Sequence, residues 1–108
     1  MRVVWMEQAD EALSRTASFI SNKFGKRASS KLMKEVYHIG CLLEDNPYMG
    51  AIEPLLAELP KTYRSIVVNR LNKIVYRIVG DQIEIADFWD VRREPQKLAN
   101  EIEQHSKK

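Results

Sequence analysis

Three strand-like runs between Thr62 and Asp90 constrain the fold of this chain more than any other stretch. The segment reads TYRSIVVN, RLNK, IVYRIV, GD and QIEIADFWD, so runs rich in β-branched and aromatic residues alternate with short polar turns. Strands of this composition, joined by turns this short, pair with their neighbours in sequence. The sequence therefore predicts a three-stranded antiparallel meander.

The two turns also predict the register of this sheet. A two-residue first turn at positions 70–71 would place Arg64 opposite Arg77. An equally tight second turn would place Lys73 opposite Phe88. Under this register Arg64, Lys73, Arg77 and Phe88 all lie on one face of the sheet, because successive side chains point to opposite faces.

The same alternation divides all residues of the meander between two faces. The first face is almost wholly apolar, and it comprises Tyr63, Val67, Ile74, Tyr76, Ile78, Ile83, Ile85 and Trp89. The second face mixes cations with apolar groups, and it comprises Arg64, Ile66, Val68, Lys73, Val75, Arg77, Glu84, Ala86 and Phe88. We expect the rest of the chain to cover the first face and a partner to contact the second.

The cover is predicted to be a helical hairpin that precedes the meander. Apolar residues recur at helical spacing in two segments, residues 7–24 and 26–44, and these stripes are Ala9, Leu13, Ala17, Ile20 and Phe24, then Ala28, Leu32, Val36, Ile39 and Leu43. Gly25 ends the first helix. A strand over residues 2–6 precedes the hairpin, and residues 46–60 connect it to the meander. The order strand, helix, helix, three strands predicts an α+β two-layer domain.

The length and composition of the chain limit its number of domains, its location and its disulfides. With 108 residues the chain is expected to form a single domain over 1–108, in which residues 95–108 form a tail or short helix. The sequence contains neither an apolar run long enough to cross a bilayer nor the apolar core of a signal peptide. We therefore expect a cytoplasmic protein without a membrane partner. The single cysteine, Cys41, excludes an internal disulfide and is predicted to be buried.

The residues that are candidates for binding or catalysis are positively charged. The sequence contains no glycine-rich phosphate loop and no cluster of metal-ligating residues, so we expect no cofactor and no metal. The predicted second face carries Arg64, Lys73 and Arg77, and Arg92 and Arg93 follow the last strand. Such a cluster can bind RNA phosphates and stabilise charge that develops when a 2′-hydroxyl attacks phosphorus.

Two interpretations of this cationic face remain open at this point. In one, Phe88 beside Lys73 stacks a nucleic-acid base while the cations hold the phosphates. In the other, the charges keep the sheet soluble and discourage pairing at its edges.

The chain resembles the RelE/ParE superfamily of type II toxin–antitoxin toxins over nearly its whole length. The resemblance lies in the element order and in Tyr63-Arg64, Ile74-Val75-Tyr76-Arg77, Ile83-Glu84-Ile85, Arg92-Arg93, Pro95 and Lys97-Leu98. RelE-like members are ribosome-dependent endoribonucleases that cut mRNA, whereas ParE-like members share the fold and inhibit DNA gyrase. The resemblance therefore implies a toxin, with an antitoxin protein as its cognate partner and either mRNA on the ribosome or gyrase as its target.

In the RelE-like branch, the resemblance assigns catalysis to Arg64, Lys73 and Arg93. RNA binding would then involve Arg77, Phe88 and Arg92. The chain departs from that branch in three ways. Ile66 stands where a second basic residue is expected, position 73 is lysine rather than arginine, and residues 95–104 contain no tyrosine or histidine. These departures leave a gyrase inhibitor and a catalytically degenerate partner-binding module as alternatives to an mRNA interferase.

Overall fold

The computed structural model of the protein describes residues 1–93 and 95–106, apart from the side chains of residues 95, 105 and 106. Its elements are β1 (Arg2–Trp5), α1 (Glu7–Phe24), α2 (Lys26–Asp45), β2 (Ala51–Ile52), a 3₁₀ turn (Pro54–Leu56), β3 (Arg64–Val68), β4 (Asn72–Val79), β5 (Gln82–Asp90) and α3 (Pro95–Ser106). Glu94 and the last two lysines lie outside the described residues, and the two lysines belong to the predicted C-terminal segment 95–108.

The strands described by the structure form one sheet in the order β1-β5-β4-β3-β2. The predicted meander forms its centre, with β3, β4 and β5 antiparallel to one another. β1 pairs in parallel with β5, and the two-residue β2 pairs with β3. The α+β element order that the sequence predicts is confirmed. None of the helices described by the structure is long and apolar enough to cross a membrane.

The predicted helical hairpin covers one face of the sheet. α1 is capped by Gly25, whose φ of 96° is unfavourable for any residue with a side chain and whose N–H donates to Ser21 O. The buried core between hairpin and sheet comprises Ala9, Ala12, Leu13, Leu32, Val36, Leu43, Val68, Ile74, Tyr76, Ile83, Ile85 and Phe88. Burial of these apolar side chains is what holds the hairpin on the sheet.

The register of the first hairpin differs by one residue from the prediction. Val68 pairs with Asn72, so the turn contains three residues rather than two, and Asn69 and Arg70 have positive φ values of 47° and 70°. Because side chains alternate, a shift of one residue moves every side chain of β3 to the other face. Arg64 lies opposite Tyr76 rather than Arg77.

A β-bulge in β5 shifts the second hairpin as well. Tyr76 pairs with Ile85 but Val75 pairs with Asp87, which leaves Ala86 without a partner residue on β4. Beyond the bulge the faces of β5 are exchanged relative to the prediction. Phe88 therefore packs under the helical hairpin, and Trp89 points to the opposite side of the sheet.

The second face of the sheet is partly covered by the chain itself. α3 and the 3₁₀ turn pack on it and enclose a second apolar cluster of buried residues, which comprises Leu56, Tyr63, Val75, Trp89, Leu98 and Ile102. A helix beginning at Pro95 was one of two expectations for the C-terminal segment, and α3 begins at that residue. The sequence did not predict that this helix returns to the sheet.

Candidate functional site

The cations predicted to share one surface lie on both faces of the sheet. Lys73 and Arg77 lie on the face that α3 partly covers, whereas Arg64 follows the register of β3 onto the face that carries the helical hairpin. The prediction that Arg64, Lys73 and Arg77 form one cluster is therefore wrong. The cause is the third residue in the first turn, which no two-residue turn pattern anticipates.

Lys73 is held in a buried ion pair. Its ammonium contacts Glu53 Oε1, and the side chains of Lys73 and Glu53 are only 12% and 2% exposed. Glu53 also accepts hydrogen bonds from Leu55 N at 2.9 Å and from Ser65 Oγ at 3.0 Å. The carboxylate thus joins β3 and β4 to the 3₁₀ turn.

These hydrogen bonds determine how Glu53 titrates. Burial by itself would raise the pKa of Glu53, but the hydrogen bonds from Lys73, Leu55 and Ser65 outweigh burial and lower the pKa below its ordinary value. A carboxyl group with a lowered pKa stabilises the fold above its ordinary pKa, and that stabilisation is lost as the pH falls. At neutral pH the ion pair therefore stabilises the attachment of the 3₁₀ turn to β3 and β4.

Arg64 is engaged by the loop between α2 and β2. Its Nη1 donates to Gly50 O at 2.8 Å, and its guanidinium lies 5.1 Å from the centre of the Tyr48 ring. The loop is fixed by Tyr76, whose hydroxyl donates to Pro47 O at 2.8 Å and accepts from Gly50 N at 3.0 Å. A Cβ at Gly50 would lie 2.7 Å from Tyr76 Oη, so this close approach requires glycine.

Arg77 and Arg92 each form an ion pair with a carboxylate. Arg77 Nη2 lies 3.1 Å from Glu84 Oε1, as the sequence register predicts for the strand ends near the second turn. Arg92 donates to both carboxylate oxygens of Asp90, at 3.0 and 2.8 Å. This hydrogen bonding lowers the pKa of Asp90 below its ordinary value. Arg92 remains exposed.

Arg93 connects the end of β5 to α3. Its guanidinium lies 4.3 Å from the centre of the Trp89 ring, and its Nη2 donates to Glu101 Oε1 at 2.9 Å. Stacking on the indole and pairing with a carboxylate are both favourable for arginine. Arg93 therefore contributes to the attachment of α3 to the sheet.

Phe88 does not lie on an open surface. Its side chain is 4% exposed and its ring centre lies 6.5 Å from that of Trp5 within the core under the helical hairpin. The expected position beside Lys73, from which Phe88 could stack a base, is wrong because the bulge at Ala86 reverses this part of β5. Trp89 occupies the position opposite Lys73 instead, and it is buried as well.

Asp87 is a buried carboxyl group next to the bulge. Its oxygens accept from Phe88 N at 2.8 Å and from Gln8 Nε2 at 2.9 Å. Burial outweighs these bonds and raises the pKa of Asp87 to about 6. Within the described residues, Gln8 Oε1 is buried without a hydrogen-bond partner. A protonated Asp87 would supply a donor to this region.

A surface that the sequence analysis missed lies at the end of the helical hairpin. We call it the hairpin groove, a cleft of about 630 Å³ lined by α1, α2, the first turn of the meander and the end of β5, including Arg15, Phe19, Lys23, Phe24, Lys31 and Leu71. Glu35, Asp90 and Arg92 also line it. Phe24 was predicted to be core, but it is 66% exposed. Lys23 lies 5.5 and 5.8 Å from the ring centres of Phe19 and Phe24.

The hairpin groove combines exposed aromatic rings with cations that are available for a partner. Arg15, Lys23 and Lys31 have no carboxylate partner among the residues that the structure describes. This distinguishes them from Lys73, Arg77, Arg92 and Arg93. The sequence signal was the pattern FISNKF, in which two aromatic residues flank a lysine at the end of a helix. The position of Phe24 next to the Gly25 cap is a second signal, which the predicted apolar stripe overlooked.

We expect substitution of Lys73 to destabilise the fold because Glu53 would remain buried without its cation. Lys73→Met should lower the free energy of unfolding by about 3–5 kcal/mol, and adding Glu53→Gln should recover part of the loss. Urea denaturation at neutral pH measures both effects. Arg92→Met removes an exposed ion pair and should leave the urea midpoint nearly unchanged. Equal losses in Lys73→Met and Arg92→Met would contradict this assignment.

Asp87 should make stability depend on pH. Its folded pKa of about 6 exceeds the ordinary value of 3.8, so its contribution to stability is present below pH 3.8 and is lost as the pH rises through 6. Asp87→Asn should remove this dependence and be more stable than the native sequence at pH 7.5 by up to about 3 kcal/mol. Chemical denaturation between these pH values measures the difference.

The exposed turn residue Asp81 provides the control for this experiment. Asp81→Asn removes the same charge without changing a buried group, so its stability should follow the native pH dependence. A pH dependence that persists in Asp87→Asn would show that another group titrates.

Comparisons with known proteins agree with the architecture. No family model matches the chain, and no curated protein matches it. A chain of a solved structure described as a chromosomal ParDE toxin–antitoxin system from P. aeruginosa superimposes with a TM-score of 0.70 at 20% sequence identity. The match covers 85% of this chain and 97% of that one. The fold implied by the resemblance to the RelE/ParE superfamily is confirmed, and this chain has the fold of a chain from that ParDE structure.

Proposed function

We propose that this chain is the toxin of a type II toxin–antitoxin module and that it acts by binding a protein target, as the ParE-like branch does with DNA gyrase. The observation that carries the proposal is that the cations assigned to RNA cleavage are engaged within the fold. Lys73 is buried against Glu53, Arg93 is stacked on Trp89, and Arg64 lies on the other face. An interferase needs these charges at one phosphate.

The cost of freeing Lys73 strengthens this argument. An RNA phosphate could contact the Lys73 ammonium only by displacing Glu53, a carboxylate that is itself 2% exposed and would lose its cation. Leaving a charge buried without its partner is strongly unfavourable. A phosphate near this site would also meet the negative charge of Glu53. Binding through an exposed surface avoids both costs.

The hairpin groove offers such a surface. It presents aromatic rings and cations that the fold leaves exposed, the combination typical of protein-binding sites in which apolar anchors are surrounded by charge. We propose that the antitoxin covers this groove with a segment that carries acidic residues and folds on binding. Its carboxylates would pair with Arg15, Lys23 and Lys31.

Charge reversal in the groove should therefore weaken antitoxin binding. The double substitution Lys23→Glu and Lys31→Glu should lower the affinity by about tenfold or more, because like charges would oppose the acidic segment. Isothermal titration with the product of the neighbouring gene measures the affinity. Lys26→Glu with Lys34→Glu is the matched control, since both residues are exposed on the same hairpin outside the groove. Equal weakening by both pairs would place the contact elsewhere.

The target itself can be identified in growing bacteria. Expression from a tightly repressed promoter should lower thymidine incorporation and produce filamentous cells while methionine incorporation continues, because gyrase inhibition stops replication first. The double substitution Arg64→Ala and Arg93→Ala should leave this effect unchanged. Arg27→Ala with Lys34→Ala serves as a control that removes two exposed cations away from the sheet.

The opposite pattern would restore the interferase alternative. A fall in methionine incorporation alone, abolished in an Arg64→Ala and Arg93→Ala variant that accumulates in folded form but not in the control, would support catalysis by Arg64 and Arg93. Arg77, Phe88 and Arg92 would then need testing as RNA contacts. Normal growth would contradict both toxic activities and leave a partner-binding module.

A further inference from the structure

The two edges of the sheet differ in how they are protected against pairing with another strand. β2 is only two residues long and is followed by Glu53 and Pro54, which turn the chain away from the edge. Short edge strands and proline are common protections. β1 forms the other edge over Arg2–Trp5, where three apolar residues follow Arg2, and neither proline nor a bulge interrupts the strand. The β1 edge is therefore open to another strand.

The parallel pairing with β5 determines which backbone groups of β1 are available. Met6 N donates to Ile85 O at 3.0 Å, so the even-numbered residues of this strand direct their N–H and C=O groups toward β5. Val3 and Trp5 consequently direct theirs away from the sheet. Four backbone groups face outward along this edge, and each is a strong hydrogen-bonding group.

An apolar groove runs beside this edge on the face that carries the helices. We call it the strand groove, and it has a volume of about 310 Å³ and is lined by residues that include Val3, Trp5, Met33, Tyr37, Gly40 and Cys41. Tyr37 is 75% exposed. Cys41, predicted to be buried, is exposed as well. An open strand edge beside an apolar groove is the arrangement that receives an added β-strand.

We propose that the β1 edge is a self-association surface at which a second copy of this chain adds its own β1 in antiparallel orientation. With a two-fold axis through Val4, Val3 of each copy lies opposite Trp5 of the other. This register uses all four outward backbone groups of each strand and produces one continuous sheet across the two copies. Val3 and Trp5 lie on the helix-covered face, so the exposed α2 residues of both copies approach across the axis.

Charge complementarity favours a second copy in this orientation over parallel pairing. Arg2 lies at the start of β1, and Glu7 and Asp10 lie in the first turn of α1 just beyond its end. Antiparallel pairing brings the start of one strand beside the end of the other. Arg2 of each copy then lies near Glu7 of the other, and the two-fold axis repeats this contact. The inference is independent of the proposed function.

Sedimentation velocity at protein concentrations between about 1 and 200 µM tests this proposal. Over this range, a monomer–dimer equilibrium raises the average mass of the protein as its concentration rises. We expect a monomer–dimer equilibrium in the native sequence. Val3→Pro removes an outward N–H without removing a bond to β5, and it should raise the dimer dissociation constant by about tenfold or more. A monomer at every concentration would overturn the proposal.

The opposite edge provides a matched control. Ser65 pairs with Ala51 of β2 on the outer side of β3. Val67 lies two residues further along β3, so its N–H points to the same side, where β2 no longer covers the edge. Val67→Pro should leave the dissociation constant unchanged, and a loss of dimer in this variant would contradict the assignment to β1. Tyr37→Glu alters the strand groove without altering the backbone and should weaken the dimer even if Val3→Pro fails to fold. A dimer unaffected by Tyr37→Glu would also contradict the proposal.

A charge swap tests the orientation. Arg2→Glu and Glu7→Arg should each weaken the dimer, and the double variant should recover the native dissociation constant to within about threefold. Additive weakening in the double variant would exclude the antiparallel arrangement.

Discussion

The structure depends on how β4 is paired, because a one-residue offset on each side of this strand decides which side chains reach which core. The three-residue turn before β4 directs Ile66 and Val68 toward the helical hairpin. The bulge at Ala86 then separates the adjacent aromatic residues Phe88 and Trp89 onto opposite faces. A sheet without these offsets would have one apolar face and one open face. With them, the chain builds a core on each side.

The second core explains why cations of the sheet have partners within the fold. Once α3 and the 3₁₀ turn cover Tyr63, Val75 and Trp89, a cation on the same face is removed from water and needs a partner. Lys73 is such a cation, and Glu53 is its partner. Arg93 stays partly exposed and contacts Trp89 and Glu101 beside the second core. Lys73 and Arg93, which the sequence suggests as site residues, therefore also make contacts that connect elements of the fold.

The exposed surfaces divide into two kinds that suit different partners. The hairpin groove combines phenylalanine rings with cations that lack carboxylate partners in the part of the chain that the structure describes, which suits an acidic segment of another protein. The β1 edge presents backbone groups beside an apolar groove, which suits an added strand. The two surfaces lie at different places on the helical hairpin. The hairpin groove and the groove beside β1 have no lining residue in common.

The sequence by itself determined the elements, because periodicity, Gly25 and the turn residues act locally. The two helices of the hairpin begin and end within about one residue of the prediction, and the meander has the predicted strand order. The sequence could not determine the pairing offsets, since a turn of two or three residues fits the same letters and a bulge depends on the packing around it. These offsets also decided on which face of the sheet the predicted site residues lie. Arg77 near the tight second turn kept its predicted partner Glu84, whereas Arg64 and Phe88, beyond the three-residue turn and the bulge, were moved to the other face by tertiary structure.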